Sequence, residues 1–161
     1  MEILRRITCE YVAGDLFPED LPRVAAEALA RGLDSASLRE LAGLNGSDDV
    51  RDIRALYLAA MEELGIELPD EQTVRWDRVR TWARRMVDGM TTPVEGAAKI
   101  DAESVALESP AKLSDFTYLL ALWGEFPDRR QSLEASMLES ARELVAQSDC
   151  AIGEERPGSG F

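Results

Sequence analysis

The 161-residue chain contains no histidine, and that one absence removes several chemistries together. Without imidazole there is no Ser-His-Asp triad, no Cys-His nucleophile pair, no HExxH zinc protease and no Glu-x-x-His pattern of bundle di-iron sites. Cysteine is scarce: Cys9 and Cys150 stand near opposite ends, outside any CxxC spacing. They read as thiols of a reducing compartment, and a bridge tying the termini would require an oxidising one. Neither a P-loop nor a GxGxxG is present, and the glycines are expected at helix ends or in the tail. No stretch approaches the ~18 uninterrupted apolar residues of a membrane span. Glu2, Arg5, Arg6 and Glu10 interrupt the apolar positions after Met1, so no secretory leader is expected. These exclusions point to a soluble, cytoplasmic protein without a membrane partner.

Lysine is also rare, with 2 against 16 arginines, a bias that a GC-rich genome produces without selection on the protein. What is abundant is acid. Against 18 basic side chains stand 31 acidic ones, a net charge of −13, which repels phosphate backbones and argues against nucleic acid as a partner. At this length one domain is expected, able to bury roughly 70% of the surface its unfolded chain exposes.

The apolar spacing is helical throughout, with no alternating run, hairpin signal or repeat. Ile3, Leu4, Ile7 and Tyr11 predict a helix over 2–15, ended by Pro18. Asp20 is placed to cap a second helix, with Pro22 in its first turn and Gly32 at its end. Ser37 with Glu40 fits a capping box for a short third. Ser47, Asp48 and Asp49 precede a fourth with the stripe Val50, Ile53, Tyr57, Ala60, Met61 and Leu64. Asp70 opens a fifth, carrying Trp76, Val79, Ala83 and Met86, and Thr92, Pro93 and Glu95 open a sixth. Asp101 then falls where the pattern wants an apolar residue, so the sixth helix is expected to have ended by that point.

The run LSDFTYLLALWGEF, residues 113–126, is apolar on nearly every side, which places it at the centre of a bundle. A last helix follows Pro127, with Leu133, Met137, Ala141 and Leu144 in its stripe, and its pattern ends after Ser148. The fold expected is an all-α, single-domain bundle of six to eight helices over 1–152 around that central helix. The Gly-, Pro- and Ser-rich tail 153–161 is expected to be disordered.

Three constellations are weighed for function. Carboxylates cluster at Glu62 with Glu63, at Asp48 with Asp49, and at Glu67 with Asp70 and Glu71. They would suit a Mg²⁺ site or an acid–base pair, although adjacent helical residues diverge and the Asp pair has a simpler use at a helix N-terminus. The helix pair 20–44 has the length of a helix-turn-helix but lacks donors: Arg39 beside Glu40 is nearly all that its second helix offers. One positive island breaks the acidity. From Arg75 to Met90 the net charge is +3, between flanks of −9 and −7. There Arg78 and Arg85 share a face seven residues apart with Trp82 between them, the composition of a protein-binding hot spot. Arginines of this kind also serve as internal partners of acidic helices.

The segment Leu21-Pro22-Arg23-Val24-Ala25-Ala26-Glu27-Ala28-Leu29, continued by Gly32-Leu33-Asp34-Ser35 and by Leu38-Arg39-Glu40-Leu41-Ala42-Gly43, resembles small uncharacterised all-helical proteins of GC-rich bacteria. The resemblance implies a helix, a glycine stop and a second helix; it brings no activity and no functional residue. The reading of the sequence is a small acidic protein-interaction or regulatory protein of inhibitor or immunity type, non-catalytic and without cofactor or metal. It would meet another protein through Arg78, Trp82 and Arg85, and a homo-oligomer is compatible with it. The alternative is a small carboxylate-based enzyme that uses Mg²⁺.

Overall fold

The computed structural model describes residues 2–153, with side chains for 3–147. Among them are eight α-helices and no strand, the all-helical class that the periodicity implies. The chain divides into two compact units, Met1–Val74 and Arg75–Phe161, and its apolar residues gather in two cores instead of around one central helix.

The first unit holds α1 (Glu2–Val12), α2 (Leu21–Ala30), α3 (Ala36–Ala42), α4 (Val50–Glu63) and the start of α5 (Glu71–Val87). Its core is Leu4 and Ile7 of α1, Leu21, Val24, Ala25 and Ala28 of α2, Leu38 and Leu41 of α3, and Ile53, Tyr57, Ala60 and Met61 of α4. Each set lies at the three- and four-residue steps that form one helical stripe. Asp49 caps α4 as expected, by accepting from the Arg51 N–H, but two other caps differ from the local reading. Asp20 makes no side-chain cap; a 3-10 turn, Pro18–Asp20, leads into α2 instead. Ser35, two positions before the expected Ser37, caps α3 by accepting from the Leu38 N–H. Ser37 is engaged from outside its own helix: its N–H and hydroxyl both donate to the Glu63 carboxylate, at 3.0 and 2.7 Å. The end of α4 thereby satisfies a free donor at the start of α3.

The second unit holds the rest of α5, then α6 (Pro93–Ala106), α7 (Ser114–Glu125) and α8 (Arg130–Gly153). Val79, Ala83 and Met86 meet Ala97 and Ile100 of α6, Leu113 and Phe116, and Met137, Ala141 and Leu144 of α8. Helix α6 does not stop before Asp101. It continues to Ala106, with Asp101 on the edge that faces α7, where its carboxylate accepts from the Thr117 hydroxyl. Gly96 lies inside this helix and not at an end. The turn after it is made by Glu108 and Ser109, both with positive φ, of 62° and 56°.

Helix α7 corrects the sequence reading most clearly. It packs on α6 and α8 and fully buries Phe116 alone, while Leu119, Leu120 and Trp123 are half-buried and Tyr118 is 64% exposed. Two neighbours cover two sides of a helix, and its other apolar side faces outwards. Helix α8 runs past Ser148 to Gly153; the tail from residue 154 lies outside the described residues, as does the Cys150 side chain. Cys9 is a free, half-buried thiol.

Candidate functional site

On α5, Arg75, Arg78, Trp82 and Arg85 recur every three or four residues and so share one edge. On α6, Lys99 and Glu103 lie one turn apart. The two helices are joined by a short turn through Gly89, at φ 70°, and Thr92 caps α6 by accepting from the Glu95 N–H at 3.3 Å. They meet in a fixed order: Met86 against Gly96, Trp82 against Lys99, and Arg75 with Arg78 against Glu103.

Glu103 is the innermost charge of this seam, with a side chain only 9% exposed. Arg75 Nη1 stands 3.0 Å from Oε2 and Arg78 Nε 2.9 Å from Oε1, one guanidinium on each carboxylate oxygen. A buried carboxylate is tolerable only when paired and hydrogen-bonded, and here two arginines do both. Glu103 therefore explains why α5 carries Arg75 and Arg78.

One turn along, the arrangement opens towards solvent. Arg85 Cζ lies 4.8 Å and Lys99 Nζ 5.7 Å from the centre of the half-buried Trp82 indole. Arg85 and Lys99 are both exposed. Among the described residues neither cation has a carboxylate partner, and the Trp82 indole N–H has no acceptor. Trp123 makes the contrast. Its indole N–H donates to Glu134 at 3.0 Å, and Arg130, 4.1 Å from its ring centre, donates Nε–H to its backbone carbonyl. There an indole and a guanidinium both find acceptors and close a turn; at Trp82 the same two groups are left available beside Lys99.

Of the three residues expected to meet a partner, Trp82 and Arg85 are together and Arg78 is turned onto Glu103. Lys99 joins them, and sequence reasoning missed it because it sits on another helix. Glu103 was missed for a related reason: an acid within an amphipathic stripe reads as a solvated edge until its partners, more than twenty residues earlier, are known.

Four of the carboxylate candidates are engaged at helix ends. Asp48 accepts from the Asn45 N–H at 2.7 Å, Asp49 from Arg51 at 2.8 Å and Asp70 from Thr73 at 3.1 Å. The Ser37 hydrogen bonds hold the Glu63 carboxyl below the usual range. No group of three potential ligands that could hold a metal ion occurs among the described residues. No protein-family model, curated protein or solved structure matches the chain.

Proposed function

We propose that this is a small acidic interaction protein of a regulatory kind, inhibitor- or immunity-like, which acts in the cytoplasm by binding another protein and not by catalysis. The observation that carries the reading is the Trp82 cluster: an indole with an open N–H and two exposed cations over it, without a carboxylate partner among the described residues. In a chain with 31 acids, cations are expected to find internal carboxylate partners, as Arg75 and Arg78 do on Glu103. A large, stiff side chain flanked by charged donors is the composition of binding hot spots.

The test is capture from a native lysate by the full chain and by the Arg85→Ala, Lys99→Ala double variant, with bound proteins identified by mass spectrometry. A partner held by the wild type and lost by a double variant of unchanged melting midpoint is the expected result. Equal capture by both would remove the seam as the site. No specific partner would remove the interaction reading itself.

A further inference from the structure

We infer that the occupant of the seam is a short acidic segment of a protein partner, whose carboxylates meet Arg85, Lys99 and the Trp82 indole N–H; this rests on the seam being where the partner is met. All three groups are donors, and none is an acceptor. A cation over an indole is attracted by the ring but keeps its N–H groups, so each can bond to a carboxylate without leaving the ring.

The surroundings restrict the length of that ligand. Asp88, three residues after Arg85 and just past the end of α5, and Glu95, one turn before Lys99 on α6, are exposed, and the chain as a whole is net −13. Nucleic acid carries a charge about every 1.7 Å of duplex and would run from the cluster onto these acids. A segment with a few carboxylates can lie on the three donors themselves, while the acids farther than about 8 Å are screened at physiological salt. An apolar residue in the segment gains the indole as a surface, which a free inorganic anion does not use.

The experiment follows the indole N–H resonance of Trp82 in the full chain, identified by its loss in Trp82→Phe. The chain is titrated with a short synthetic peptide of alternating glutamate and leucine, the same peptide with glutamine for glutamate, inorganic phosphate, and a short single-stranded oligonucleotide. A saturable shift with the glutamate peptide alone, weakened about tenfold or more by Arg85→Ala with Lys99→Ala, is the expected result. The glutamine peptide makes the same contrast on the wild-type chain should the double variant not fold. An equal shift with phosphate or with the oligonucleotide would overturn the assignment in favour of a general anion site. An unmoved indole, while the captured partner still depends on Arg85 and Lys99, would overturn the acidic occupant and leave the proposed function standing.

Discussion

Gly96 and Met86 touch where α6 crosses α5: a β-carbon on Gly96 would fall 2.2 Å from Cγ and 2.5 Å from Sδ of the buried Met86. Two effects compete in Gly96→Ala. The helix gains about 1 kcal/mol from better propensity, and overpacking a filled core costs about 1–3 kcal/mol. Because Met86 is only 2% exposed and has little room to retreat, the second should prevail. Urea unfolding should show a net loss of about 1 kcal/mol; a gain would mean that Met86 repacks freely.

Removing the charge of Glu103 leaves two guanidiniums without their shared carboxylate. Glu103→Gln should therefore cost about 3–5 kcal/mol. Arg78→Ala should cost less, since Arg75, the more buried arginine, keeps Glu103 paired. Chemical denaturation of both variants checks the order, and a reversed order would show that Arg78 is the principal partner.

In the first unit, burial pushes the Tyr57 phenol up to about 12 from its usual 10, and the tyrosine is only 2% exposed. Thr8 lies close enough to favour the phenolate slightly, but its hydroxyl donates to the Leu4 carbonyl and the phenol is left without a hydrogen-bond partner among the described residues. The folded chain keeps this proton where the unfolded chain releases it. The contribution is complete below pH 10 and is lost as pH rises towards 12, on the order of 2 kcal/mol in all. Tyr57→Phe should match the wild type or exceed it at neutral pH, because it removes an unpaired buried hydroxyl. Its advantage should widen above pH 10; a constant difference across that range would rule the titration out.

On α7 the two sides should respond differently. Phe116→Ala should cost about 3–5 kcal/mol through lost burial and a residual cavity. Tyr118→Ala, at a 64% exposed position, should stay within about 0.5 kcal/mol. Comparable losses from the two would mean that the outer side of α7 is covered in solution.

Helix identity was legible because the stripes are local: Ile53, Tyr57, Ala60 and Met61 announce one face of α4 without knowledge of what it meets. Burial was less so. The apolar run in α7 states a need for cover, and whether cover exists depends on how many helices reach it. The cap of α3 shows a similar limit, since Ser37 has a convincing box partner in Glu40 but bonds to Glu63, 26 residues away. At the site, α5 supplied Trp82 and Arg85 by composition. Distinguishing an available arginine from an engaged one required the position of Glu103, which no local pattern encodes.

Trp76, Trp82 and Trp123 all fall in the second unit. Indole emission excited at the red edge of absorbance is thus a reporter of residues 75–161 alone, whereas circular dichroism at helical wavelengths records both units. If the two apolar cores melt as one cooperative body, the optical and dichroic transitions coincide. If they melt separately, the dichroic curve acquires a step to which the indole signal is blind, and the fluorescence midpoint belongs to the seam-bearing half only.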